Sequence, residues 1–86
     1  MRTVRVTLYT RPGCHLCDDA RAVVERVCGE LGERYLEVDI TTGPEAEALS
    51  NRYGEEVPVT LVDGRQHDFW RVDPDRLRAA LAAPPQ

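Results

Sequence analysis

The sequence predicts an α/β domain whose elements run β-α-β-α-β-β-α, and three features of its 86 residues lead to that order. Apolar residues alternate at the head of the chain, then recur every three or four positions, then alternate again, the pattern of strand, helix and strand. Farther on, an Asp-Gly pair separates two runs of strand-forming residues. A chain this short supports one core and hence one domain, assigned to residues 1–82, with 83–86 as a disordered C-terminal tail.

The first strand is expected over Thr3–Tyr9, with Val4, Val6 and Leu8 on one face and Arg5, Thr7 and Tyr9 on the other. Arg11-Pro12-Gly13 breaks it. From about Cys14 the spacing of Ala20, Val23, Val24, Val27 and Leu31 draws an apolar stripe along a helix that Gly29 or Gly32 can end. Tyr35–Ile40 alternates again, placing Leu36, Val38 and Ile40 together and completing a right-handed parallel βαβ unit. Thr42-Gly43-Pro44-Glu45 reads as the start of a second helix that carries Ala46, Leu49 and Tyr53 and stops near Gly54. Val57–Val62, the Asp63-Gly64 turn and Gln66–Val72 make an antiparallel hairpin. Asp73-Pro74 then caps a last helix, with Leu77 and Leu81 on its inner face.

Composition excludes several classes. A hydrophobic fraction of 42% and a charged fraction of 30% are ordinary for a globular protein and argue against disorder. The net charge is -4, and the 11 cations, all arginine, are scattered along the chain, which argues against a nucleic-acid partner. Met1–Thr10 lacks the continuous apolar run of a signal peptide, and no later segment is long enough to span a bilayer. A cytoplasmic protein, monomeric and without a membrane partner, is expected. In a reducing compartment a close cysteine pair points to catalysis or metal binding rather than to a structural staple.

Cys14 and Cys17 flank His15-Leu16 at the junction of the first strand and helix. Three residues make just under one helical turn, so the two sulfurs can face each other and close a disulfide. Cys14 falls at the helix N-terminus, where unpaired N–H groups and the positive end of the macrodipole favour a thiolate, which makes it the expected nucleophile. Cys17 joins the buried stripe and suits the resolving role. Arg11 and a protonated His15 would favour the Cys14 thiolate, whereas Asp18 and Asp19 would disfavour it.

Val57-Pro58 is the second constellation, because proline cannot donate to a ladder and so marks a strand start, an edge or a cis bond in a special turn. Cys28 lies 11 residues after Cys17, close to three helical turns, and reads as core. His67 reads as a surface residue of an edge strand. Phe69 and Trp70, neighbours on one strand, should point to opposite faces; Trp70 is assigned to core packing, or to partner docking should it be exposed.

On the CHLC motif, Val57-Pro58, the Asp63-Gly64 hairpin and the element order, Thr3–Leu81 resembles the glutaredoxin branch of the thioredoxin superfamily. The resemblance implies a thioredoxin-like fold, a four-stranded mixed sheet flanked by three helices, with a cis proline at Pro58 packed against the CHLC motif. It also implies that Val57 offers its backbone to an extended thiol substrate, and Arg11 matches the basic residue common three positions before the first cysteine. The chain departs from glutathione-using relatives in having CHLC for Cys-Pro-Tyr-Cys, Glu56 for a threonine before Val-Pro, and Trp70-Arg71 for a Gly-Gly pair. The expected activity is thiol-disulfide oxidoreduction, needing no cofactor and no metal. Its substrate would be a disulfide-bearing protein or a small thiol compound, and its electron donor another thiol or a reductase. Two alternatives use the same residues: a metal or iron-sulfur cluster carrier, and a non-catalytic interaction module.

Overall fold

Seven elements occur in the order read from the sequence: β1 (Val6–Thr10), α1 (His15–Leu31), β2 (Tyr35–Asp39), α2 (Ala46–Tyr53), β3 (Val59–Val62), β4 (Arg65–Phe69) and α3 (Pro74–Ala82). They belong to a computed structural model that describes residues 3–85; Met1, Arg2 and Gln86, included above in the leader and tail readings, lie outside the described residues. The strands form one mixed sheet in the order β2-β1-β3-β4, with β1 parallel to β2 and antiparallel to β3, and β3 antiparallel to β4. No helix among the described residues is long and apolar enough to cross a membrane.

Alternation along β1 becomes burial: Val6, Leu8 and Thr10 are buried, while Thr7 and Tyr9 are half-buried. Val6 and Leu8 pack with Ala20, Val24, Val27 and Cys28 of α1 and with Leu77 and Leu81 of α3, so these two helices cover one face of the sheet. The other face carries a second cluster of Ile40, Tyr53, Val57 and Val59, which Cys17 joins and against which Tyr9, Cys14, Leu49 and Leu61 pack. Each large aliphatic side chain withdrawn from water in this way contributes about 1.5–3 kcal/mol.

Local chemistry sets the ends of the elements. Gly32, at φ 68°, stops α1 and donates its N–H to the Cys28 carbonyl. Asp63 and Gly64, at φ 54° and 80°, form the two-residue turn between β3 and β4, a conformation that Asp-Gly adopts at low cost. Asp73 caps α3 by accepting the N–H groups of Asp75 at 2.9 Å and Arg76 at 3.2 Å.

Cys28 is buried in the first cluster, as its helical position predicts, and burial pushes its thiol up to about 11. At about pH 8 it is therefore protonated and shielded. In the reduced native protein iodoacetamide should modify Cys14 and leave Cys28 untouched until denaturant is added. Equal rates at the two sites, read by peptide mass mapping, would show that the core around Cys28 is open.

Several expectations are corrected. β1 starts at Val6, so Val4 lies beyond the strand end and is exposed, as is Leu31 at the last turn of α1. Leu36 is 53% exposed because it sits on edge strand β2 and the cluster built on short α2 does not reach it. Arg5, placed by alternation on a polar face, is buried. Pro44 precedes α2 rather than occupying its first turn, and the strand expected from Val57 begins at Val59. The register of β3 and β4 slips, with Thr60 opposite Asp68 but Leu61 opposite Gln66, so His67 is an inserted residue. Its side chain is only 13% exposed, and it is not a surface group. Trp70, at φ 63°, ends β4 before Val72 and breaks the alternation, so Phe69 and Trp70 do not divide between the two faces; both are exposed.

Candidate active site

The parallel β1-α1-β2 crossover brings the C-terminal end of β1 and the N-terminal end of α1 to one edge of the sheet, and the antiparallel pairing of β1 with β3 returns Pro58 to that edge. Gly13, at φ 71°, turns the chain out of β1 into the helix. Cys14 is the N-cap of α1, in extended conformation, and its sulfur accepts the Cys17 N–H at 3.1 Å. Cys14 and Cys17 are joined as a disulfide with Cα atoms 5.1 Å apart.

Burial separates the two sulfurs. Cys17 is 0% exposed, packed with Ile40, Tyr53, Val57 and Val59, whereas Cys14 is half-buried at the helix tip. On reduction, the N–H that now meets the Cys14 sulfur would stabilise negative charge there, as would the unpaired amides of the first turn. Tyr9 stacks on Tyr53 with ring centroids 5.0 Å apart, which walls the cysteine pair on its α2 side. Burial pushes the Tyr9 phenol up, so it stays protonated. This stack joins residues distant in sequence, and no local pattern announces it.

Val57-Pro58 is a cis peptide bond; both residues are buried, and Val57 belongs to the cluster that holds Cys17. The Val57 N–H is donated to the Tyr53 carbonyl at 3.0 Å, which leaves the Val57 carbonyl as the backbone group on offer. Cys14, Cys17, Val57 and Pro58 are thus brought together. Arg11 is exposed and donates to the Gly54 carbonyl at 3.3 Å, so it bridges to the end of α2 rather than to a cysteine. His15, first residue of α1, is exposed.

The two aspartates of the first turn are not equivalent. Asp18 is paired with Arg21 at 2.8 Å, and Arg21 also grips both oxygens of Glu37 at 2.7 and 2.8 Å. Arg21 holds the Glu37 carboxyl below its ordinary value, and Glu37 in turn raises Arg21. Both aspartates are exposed, but the charge of Asp18 is offset by Arg21 beside the helix tip, whereas Asp19 forms no ion pair among the described residues. Among the described residues no group of three or more His, Cys, Asp or Glu side chains is placed to hold a metal ion.

Sequence reasoning did not place Leu16, Phe69 and Trp70 together, yet all three line one cleft with Asp68 and Arg71, and Leu16 brings that cleft to the first turn of α1. The Trp70 N–H is donated to the Pro58 carbonyl at 2.7 Å and its indole N–H to the Glu55 carbonyl at 3.0 Å. Phe69 meets it edge-to-face at 5.1 Å. The only sequence signal for this arrangement was the adjacency of two large aromatics.

Comparison with known proteins agrees with this geometry. The uncharacterized protein Rv0508 of Mycobacterium tuberculosis is 36% identical over 84 residues, covering 95% of this chain and 87% of its own. The structural genomics target protein XcR50 from X. campestris is 38% identical with a TM-score of 0.71, covering 92% of this chain and 99% of that one. A glutaredoxin from Archaeoglobus fulgidus, at 17% identity and a TM-score of 0.63 over 94% of this chain and 89% of that one, shares the fold. The thioredoxin-like fold is therefore established, with its four-stranded mixed sheet and three helices. Residues 5–82 match the model of the Glutaredoxin-like domain (DUF836), and with the cysteine pair held as it is at the tip of α1, the chain belongs to that family.

Proposed function

We propose that the protein is a thiol-disulfide oxidoreductase that reduces protein or low-molecular-weight disulfides by a dithiol mechanism, acting in the cytoplasm. The observation that carries this reading is the unequal burial of a bonded pair, with Cys14 reachable at a helix N-terminus and Cys17 sealed behind it. Such an arrangement favours attack from one sulfur only and keeps the second close enough to finish the exchange.

In the reduced protein the Cys14 thiolate attacks one sulfur of the substrate disulfide. The substrate S–S bond breaks, its other sulfur leaves as a thiolate that takes a proton from water, and a mixed disulfide to Cys14 forms. Cys17 then loses its proton and attacks the Cys14 sulfur. The mixed disulfide breaks, the second substrate thiol leaves, and the Cys14–Cys17 disulfide holds the two-electron oxidation. A donor thiol or reductase returns two electrons to the pair. Val57 would align an extended substrate through its carbonyl, Pro58 would fix that segment against the cysteines, and Arg11 would attract an anionic part of the substrate. His15, exposed on the first turn, would adjust the charge around Cys14.

Disulfide reduction coupled in turn to glutathione, mycothiol and thioredoxin reductase tests the reading. At least one donor should sustain multiple turnovers. No turnover with any donor, together with a pair that chemical reductants cannot open, would remove the proposal.

A further inference from the structure

We infer that the cleft lined by Leu16, Phe69, Trp70 and Arg71 is a specificity site for the polypeptide flanking the target disulfide, selecting a large apolar side chain next to the reacting cysteine and an acidic residue nearby. This rests on the oxidoreductase reading above and adds a substrate class to it. Leu16 lies between the two cysteines in sequence, so the cleft, of about 570 Å³, reaches the first turn of α1 that carries the reacting pair.

Trp70 is 50% exposed and Phe69 48%, large areas to leave in water at an edge strand. Neither is a loose surface ring. Trp70 is held at φ 63°, a backbone region costly for a bulky residue, by a backbone N–H shared between the Pro58 and Glu56 carbonyls and an indole N–H donated to the Glu55 carbonyl. The edge-to-face contact with Phe69 fixes the pair further. A strained, anchored and still exposed indole is a preorganised surface, since little side-chain freedom is left to lose when a partner covers it.

Charge completes the assignment. Asp68, the one carboxylate lining the cleft, is occupied by Arg76 at 2.6 Å and accepts the Asp73 N–H at 3.4 Å. Arg71 is exposed and forms no ion pair among the described residues, so the uncompensated charge among the lining residues is positive; Glu55, also exposed, meets the indole through its carbonyl but does not line the cleft. Asp19 is exposed one turn along α1 from Leu16 but does not line the cleft. An extended segment held at Val57 would run past Trp70, because the carbonyl of the adjacent Pro58 binds the Trp70 N–H.

The test compares bis(2-hydroxyethyl) disulfide with three short peptide disulfides whose cysteine is flanked by Leu and Asp, by Leu and Lys, or by Ser and Asp. Wild-type kcat/KM should favour the Leu-Asp peptide at least about tenfold over the Ser-Asp peptide. Trp70→Ala should erase that preference, and Arg71→Glu, a surface change that keeps the test valid if the first variant misfolds, should reverse the order of the Leu-Asp and Leu-Lys peptides. Both variants should reduce bis(2-hydroxyethyl) disulfide at the wild-type rate. Absence of peptide discrimination in the wild type, or its persistence in Trp70→Ala, would overturn the inference while leaving the reductase reading intact; failure to reduce any disulfide, the small one included, would instead remove that reading.

Discussion

Replacing Cys14 by serine should cut disulfide reduction by roughly 10³-fold or more, because a serine hydroxyl is not ionised near neutral pH and cannot take up the electrons that a thiol exchanges. Cys17 cannot substitute for it: that sulfur is 0% exposed and closed in by Ile40, Tyr53, Val57 and Val59. Cys17→Ser should behave differently. The accessible thiol at the head of α1 would still attack, but without a resolving partner the mixed disulfide persists, adding the mass of one substrate half to the protein. Intact mass spectrometry under non-reducing conditions reads both outcomes. An adduct on Cys17 in the Cys14→Ser variant, or near-normal turnover by that variant, would reverse the assigned roles.

The largest effect on stability should come from Arg5. Its guanidinium is 8% exposed and makes a two-point contact with Asp63, Nε to Oδ1 at 2.9 Å and Nη2 to Oδ2 at 3.0 Å. The same group donates to the Leu81 carbonyl at 2.9 Å and the Ala83 carbonyl at 3.0 Å, and lies 3.5 Å from Glu33. One side chain thus closes the C-terminal end of α3, the β3–β4 turn and the chain after α1. Hydrogen bonding to Asp63 raises Arg5 above its already high ordinary value, so the charge persists across the accessible pH range.

Arg5→Met should cost about 3–5 kcal/mol, the usual consequence of leaving a buried carboxylate and helix-end carbonyls without their partner. For a domain of this size that corresponds to a fall in Tm of roughly 12–40 °C. Replacing both members of the two-point contact, as Arg5→Met with Asp63→Asn, should recover part of the loss, since the Asp63 carboxylate no longer loses its Arg5 partner and asparagine tolerates the positive φ of Asp63. Urea denaturation of the wild type and the two variants gives the answer. A loss below about 1 kcal/mol for Arg5→Met would mean that the contact is a surface pairing of little weight.

Much of the fold was legible because its signals are local. Asp63-Gly64 makes a hairpin turn by what its two residues permit in φ, and Asp73-Pro74 starts a helix by what an aspartate can accept and a proline cannot donate. Cys14 at the head of α1 and Cys17 on its buried stripe follow from the spacing of the apolar residues after them, and the core position of Cys28 from the same period. These readings need only the chain within a few residues of each site.

What the sequence could not decide was whether anything lies where a side chain points. Alternation predicted a common face for Val4, Val6 and Leu8, but only the two that α1 and α3 cover are buried. Leu36 stays exposed because α2 is short, and Arg5 is buried because the end of α3 comes to rest on it. Trp70 is held outward by carbonyls of Glu55 and Pro58, 15 and 12 residues before it, and the Tyr9–Tyr53 stack joins elements on opposite sides of α1 in sequence. Periodicity sets the direction of a side chain through bonded geometry, whereas its burial and partners depend on packing between segments far apart in the chain, and that is settled only when the whole domain closes.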